Sequence, residues 1–297
     1  MLVLSGGTGT PKLLRGLEQL LEPEDLTVVV NTAEDGWISG NLVTPDIDTV
    51  LYTLAHMVDE SRWWGIEGDS FTTHDLLTAL GARELLAIGD KDRAMQIYRS
   101  SLIRAGKSKT EATGALARAL GVKQKVIPMS DDEIATIIET PKGDMPFQEF
   151  WVGLGGRPNV DGIRIEGLDV AHPSPAFAQA LAREEVVLIG PSNPVTSTGP
   201  ILALPGVKEA LFEKTVIAIS PLQGNRPFSG PAAKFMAAVG VEVSDAGVAS
   251  LLGSIDLFLV SPESGYDGPC VRLRTAMRTA EDSLNLAREV LELITSS

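Results

Sequence analysis

The stretch LSGGTGTPKLL, Leu4 to Leu14, follows an amino terminus so short that a single strand fits before it. Glycines between a first strand and a helix leave main-chain amides unpaired at the positive end of the helix dipole, and such a turn cradles phosphate. The stretch obeys neither familiar phosphate-loop rule. Read as G-x-G-x-x-G from Gly7, it offers Gly9 and then Lys12 where the third glycine belongs. Read as G-x-x-x-x-G-K-[ST] from Gly6, it has Pro11 for the second glycine and Leu13 for the hydroxyl that would hold magnesium. The ordinary magnesium-ATP arrangement is therefore missing and a dinucleotide reading is weakened. Anion binding by the amides of Gly7, Thr8, Gly9 and Thr10 stands against the plainer reading of a tight structural turn. Lys12 is either a ligand or a solvated helix residue.

The same rhythm of an apolar run, small polar residues and a helical pattern recurs in LTVVVNTAED, EVVLIGPSNP, KTVIAISP and IDLFLVSPE. Buried parallel strands with helical crossovers produce it, so the fold class is α/β, a Rossmann-like and mostly parallel sheet in one domain over 1–297. Ligands of such sheets bind at the carboxyl ends of the strands, where Gly6, Asn31, Ser192, Ser220 and Ser261 would lie. In the first helix Thr10 is the expected cap, Pro11 the first helical residue and Leu13, Leu14 and Leu17 part of one apolar stripe. Residues 69–121 read as a helical insertion, its last helix opened by a capping box of Ser108 and Glu111. Residues 134–168 alternate apolar and polar in IATIIET and FQEFWVGLGG and continue to GIRIEGL, which predicts a small antiparallel excursion. A closing helix begins at Thr279 and Asp282, with Leu284, Ala287, Val290, Leu291 and Ile294 facing inward.

The composition excludes several classes. The 297 residues carry a net charge of −14, from 25 basic and 39 acidic side chains, which disfavours nucleic acid and anionic lipid. One cysteine, Cys270, allows no intrachain disulfide, and His56, His74 and His172 lack any ligand spacing. No signal peptide or membrane-spanning run is evident, so the expected location is cytoplasmic. A symmetric homodimer is the expected assembly.

Further polar constellations follow the other strands. After the second strand, Asn31, Glu34, Asp35 and Trp37 precede Asp46 and Asp48 at the start of a helix; Glu34 or Asp35 could bind a ribose. Residues two apart on a helix do not share a face, so Asp46 and Asp48 converge on one ligand only if Asp46 lies outside the helix. A carboxylate at a helix amino terminus is a poor base but a good magnesium ligand or hydroxyl acceptor. In GDKDRA, residues 89–94, Asp90 is the expected cap, yet Lys91 and Arg93 put positive charge where the dipole disfavours it. That break marks a site or a surface pairing with Asp90 or Asp92. The loops GPSNPVTSTGP and SPLQGNRPFSGPAAK supply Ser192, Asn193, Ser197, Gly199, Asn225, Arg226, Ser229 and Gly230. Trp37, Trp63, Trp64 and Trp151 could stack a flat ring, although core or surface packing is the commoner use of each.

Taken with WWGI, PMSDD, FQEFWV and SGPAAKFM, these stretches resemble, in order and along the whole chain, the 2-phospho-L-lactate transferases of deazaflavin coenzyme F-420 biosynthesis. The resemblance implies a transferase that joins the deazaflavin alcohol Fo to the phospholactyl half of a guanosine-diphosphate-linked donor, with the phosphoenolpyruvyl analogue as a variant, and that releases GMP. It implies Mg2+ at Asp46 and Asp48 on the acceptor side, with Lys91 and Arg93 neutralising phosphate. The amides of Gly7 to Thr10, with Ser192 and Asn193, would hold the nucleotide. Thr198, where the family usually has isoleucine, and LQGNRPF at 222–228 depart from the pattern and bear on donor or nucleotide preference. The competing reading is a regulatory module that binds nucleotide sugars or dinucleotides; such proteins carry Asp-Asp-Gly-Gly-Ser-Ser-Gly where this chain has EDGWISG. An NAD-dependent oxidoreductase lacks both the third glycine and any recognisable hydride-transfer residues here.

Overall fold

The computed structural model describes residues 1–228 and 230–296, so Ser229 of the polar loop set lies outside the described residues. Its centre is a seven-stranded sheet in which every pairing is parallel. From one edge to the other the strands are Val271–Arg272, Leu257–Val260, Thr215–Ile219, Val186–Ile189, Leu2–Ser5, Thr27–Val30 and Lys125–Pro128. The five apolar runs of the sequence are five of these strands. The runs are continuous because both faces of the sheet are covered, so alternation with polar residues is lost. On one face the helix Gly9–Leu17 packs Leu13, Leu14 and Leu17 with Val50 and Leu51 of the helix Pro45–Leu54 and with Leu286, Ala287 and Val290 of the closing helix Ala280–Ser296. On the other face Phe177, Leu181, Ile201, Val207 and Phe258 fill the core. The closing helix is capped as expected, since Asp282 accepts from the Thr279 amide and donates its own amide to the Thr279 hydroxyl. Its buried stripe includes Leu286, while Leu284 stays partly exposed.

Between Pro45–Leu54 and the strand Lys125–Pro128 lie three helices, Thr72–Ala79, Asp90–Arg104 and Lys109–Ala119. The last has the predicted capping box of Ser108 and Glu111. The start of the middle one corrects the sequence reading. Gly89, not Asp90, is its cap residue, and the Asp69 carboxylate accepts from the amides of Lys91 and Asp92 at 2.9 and 3.0 Å. Asp90 instead accepts from the amides of Thr72 and Thr73, at the start of the preceding helix. Two aspartates thus cap each other's helices, which offsets the positive charge placed in that first turn.

The antiparallel excursion is a three-stranded sheet of Met145–Pro146, Ala135–Glu139 and Gly162–Glu166. FQEFWVGLGG is not one of its strands. It folds into a π-helical turn over Glu149–Gly153, because Phe147 and Phe150 both reach Phe235, with ring centroids 5.9 and 5.7 Å away. Three and four-residue spacing serves that contact where a strand's alternation would not.

Candidate active site

The chain leaves the first strand to one side for the second and third strands in sequence, then returns to place Val186–Ile189 on the other side of the first. The strand order reverses there, and such a switch point opens a crevice between the two flanking loops. The loops are the opening glycine stretch and GPSNPVTSTGP, and they interlock. Thr10 Oγ1 lies 2.7 Å from Ser192 Oγ, and the Ser192 hydroxyl donates to the Gly6 carbonyl. A Cβ on Gly9 would stand 1.9 Å from the Pro191 carbonyl oxygen, so the two main chains approach closer than any side chain permits. Gly7 has φ +54°, which glycine alone adopts without strain. The missing third glycine therefore matters little, since close approach happens at position 9.

The helix begins at Gly9, two residues earlier than expected, with Thr8 at the cap position and no side-chain capping bond there. The expected cap, Thr10, is inside the helix and spends its hydroxyl on Ser192. The Thr8 side chain caps none of the first-turn amides, and this helix start borders a cleft of about 600 Å³. Gly7, Thr8 and Gly9 line this cleft together with Ser192, Asn193 and Ser197. The side-chain carbonyl of Asn193 accepts from the Val195 amide at 3.0 Å and shapes its own loop. Gly199 packs against the Pro194 carbonyl behind it.

Beside the glycine loop, in the first turn of Pro45–Leu54, Asp46 lines the same cleft, and a Cβ on Gly6 would stand 3.1 Å from its Oδ2. Asn31 Nδ2 donates to its Oδ2 at 2.9 Å and also to the Thr196 carbonyl at 3.2 Å, tying the second-strand end to the fourth-strand loop. Burial pushes the Asp46 carboxyl up to about 6, against the pull of Asn31 and of the Gly7 main chain. Glu34 lines the same cleft, and burial first, then the Asp46 charge, hold it well above the usual carboxylate range. Two hard oxygen donors that resist ionising together are a fitting pair for a divalent cation.

Asp48 does not join them. Asp46 lies inside the helix, so the two carboxylates diverge, and Asp48 forms a two-pronged ion pair with the fully buried Arg99. The expected convergence of Asp46 and Asp48 on one ligand is thus absent, and the carboxylate that shares the cleft with Asp46 is Glu34. Arg99 belongs to a buried polar stripe with Asp92 and Gln96, spaced four and three residues apart on the helix Asp90–Arg104. Tyr52 donates its hydroxyl to Asp92 at 2.7 Å. Arg93 is also turned away, paired with Glu84 at 2.8 Å, and Lys91 is exposed with its ammonium 3.3 Å from the Gly68 carbonyl. Asn225 and Arg226 sit exposed on a short hairpin, while Asp35 and Trp37 line a different cleft. Among the described residues no group of three or more His, Cys, Asp or Glu side chains is gathered for a metal.

Aromatic residues complete the wall. Trp63, Trp64 and Trp151 line the cleft with Phe147 and Phe228. Trp63 carries a φ of +58°, and Lys12 and Arg15 stand 5.1 and 5.0 Å from its ring centroid. Lys12 thus supports a wall residue. Arg62 and Gln148 also line the cleft and were not singled out from the sequence. The adjacent Trp63 and Trp64 were the available signal for Arg62.

The buried acids predict a pH response. Burial raises Asp35 and Asp46 to about 6 and, with help from Asp48, Asp92 to about 7. Unfolded aspartates titrate near ~3.9, so between these values the folded chain binds more protons and stability falls as pH rises. Asp59, held down to about 2 by Ser61 and Arg62, is ionised in both states above about pH 5 and adds no slope there. The ligand-free protein is expected to be most stable near about pH 5 and to weaken steadily toward about pH 7. Urea midpoints across that range measure it, and a rising midpoint contradicts it.

Known proteins resemble this chain along most of its length. The family model described as 2-phospho-L-lactate transferase CofD matches residues 1–280. A 2-phospho-L-lactate transferase of Methanosarcina mazei is 48% identical over 98% of this chain and 99% of its own length. One from Methanopyrus kandleri is 48% identical over 98% of this chain and 96% of its own. Among solved structures, a UPF0052 family protein of Bacillus halodurans shares the fold, with a TM-score of 0.66 and 18% identity over 98% of this chain and 97% of that one. Among the described residues no helix is long and apolar enough to cross a membrane. The chain belongs to the 2-phospho-L-lactate transferase family.

Proposed function

We propose that the cleft moves a 2-phospholactyl group, or its enolpyruvyl analogue, from a guanosine-diphosphate-linked donor to the terminal ribityl hydroxyl of Fo, releasing GMP. One observation carries this reading. A helix start in a glycine loop, with no capping bond from the Thr8 side chain, lines one cleft together with a buried carboxylate, Asp46, and with Trp63, Trp64 and Trp151. The first-turn amides suit a diphosphate, and the indoles suit a flat tricyclic ring. In-line positioning and charge neutralisation provide most of the acceleration of such a transfer. The acceptor oxygen forms a bond to the lactyl-side phosphorus as the bridging bond to GMP breaks, and the hydroxyl proton ends on the departing phosphate. Asp46 accepts the hydroxyl's hydrogen bond and orients it. Asp46 and Glu34 would hold Mg2+, whose charge would neutralise the diphosphate oxygens.

Mass spectrometry after incubation with Fo, Mg2+ and each candidate donor tests this. The expected result is a product heavier than Fo by the phospholactyl or phosphoenolpyruvyl group, with GMP in equal amount. Unchanged Fo with every donor would reject it. Calorimetry separates the regulatory alternative, for which tight UDP-sugar binding with no response to Fo is the signature.

A further inference from the structure

Lys234, the cation of GPAAKFM at 230–236, does not line the cleft, yet it holds one of the cleft's walls. Its ammonium donates to three successive main-chain carbonyls, those of Gly156, Arg157 and Pro158, at 2.6, 3.4 and 3.0 Å. An ammonium has three hydrogens to give, so a single side chain can serve all three. The loop reaches it through two successive left-handed residues, Gly155 and Gly156, with φ of +62° and +61°. The same ammonium stands 5.7 Å from the centroid of the Phe150 ring, whose face attracts a cation. Phe235, the next residue, packs its own ring 5.7 Å from that of Phe150. Lys234 and Phe235 thus grip the segment 149–158 from one helix, Ala232–Ala238. A second polar tether, Arg83 with Glu149, is exposed and 3.4 Å long, and such a pair holds little.

Gly156 carries this hold to the cleft. A Cβ there would stand 2.7 Å from two ring carbons of Trp151, so the indole rests on the glycine's bare backbone. Trp151 is 38% exposed and lines the cleft with its neighbours Val152 and Gly155. Displacing Gly156 therefore displaces the indole. We infer that Lys234 is a positioning residue, which fixes the Trp151 indole, through the Gly156 carbonyl, as a stacking wall for the flat ring of the acceptor. A wall ordered before the ligand arrives spares the cost of ordering it on binding, so the ammonium acts on acceptor affinity without touching the acceptor. The inference rests on the transfer reading only in taking that acceptor to be Fo.

Calorimetry with Fo and with GDP, on the parent chain and its variants, tests it. Losing one stacking side chain costs about fivefold or more in affinity, so Trp151→Ala is expected to weaken Fo binding at least that much. Lys234→Met keeps the stem and removes the ammonium. It is expected to weaken Fo about threefold or more and to leave GDP within about twofold, whereas a lesion that merely loosened the fold would weaken both. In the Trp151→Ala background the same change is expected to cost Fo little more, because both substitutions remove one wall. If circular dichroism shows Lys234→Met unfolded, Gly156→Ala, which keeps the ammonium and displaces the indole, is expected to give the same pattern. Fo affinity that the wall variants leave unchanged, or that they lower by an equal factor with and without Trp151, would overturn the inference, as would a parent chain that does not bind Fo. Fo that binds, and weakens as expected, yet is never converted would overturn the transfer reading and leave this one standing.

Discussion

Asp48→Asn is expected to lower the unfolding free energy by about 3–5 kcal/mol, because it leaves the buried Arg99 guanidinium without its counter-charge. Arg99 is fully buried, and its Nε already lacks a partner, so water cannot compensate without opening the core. Activity would fall with the fold, since the same helix carries Asp46 into the cleft. Urea denaturation of the variant measures the loss. Replacing both partners, as Asp48→Leu with Arg99→Met, is expected to recover most of it, because a buried pair exchanged for apolar residues is often close to neutral. An unchanged urea midpoint for the single variant would mean that the ion pair does not hold this helix.

Asp46→Asn is expected to do the opposite. It removes a buried carboxylate that burial holds above its usual range and whose charge raises Glu34, so stability should hold or rise slightly. Turnover should fall by about 10²–10³-fold, the usual cost of removing one positioned polar group that acts on the reacting atoms. Rates read by mass spectrometry, together with urea midpoints, separate the two aspartates. Turnover within about threefold of the parent protein would remove Asp46 from the chemistry.

What the sequence disclosed depended on how local the physics was. Continuous apolar runs marked five strands because parallel strands buried on both faces cannot alternate. The edge strand Val271–Arg272 escaped notice because it is two residues long, and Lys125–Pro128 because it opens on an exposed lysine and closes on a proline. The glycine loop, Ser192 and Asn31 were legible because strand ends in this class converge on one crevice. Asp48 was misread because its partner, Arg99, lies 51 residues away, and no local rule pairs them. A clue was present in Asp92, Gln96 and Arg99, polar residues at core spacing on a helix that turns Ile97 and Tyr98 outward. Lys91 and Arg93 looked misplaced only because the cap exchange of Asp69 and Asp90 joins residues 22 and 18 positions apart in ways that composition does not reveal. Glu34 and Asp35 serve separate clefts because side chains of adjacent residues project in different directions.

The account turns on where the diphosphate of the donor sits. A crystal structure of the protein with GDP and Mg2+ decides it. The result predicted here has diphosphate oxygens within hydrogen-bond distance of the amides of Gly7 to Thr10, with Asp46 beside them in the same cleft. A diphosphate bound away from that helix start, with the glycine loop empty, would contradict it.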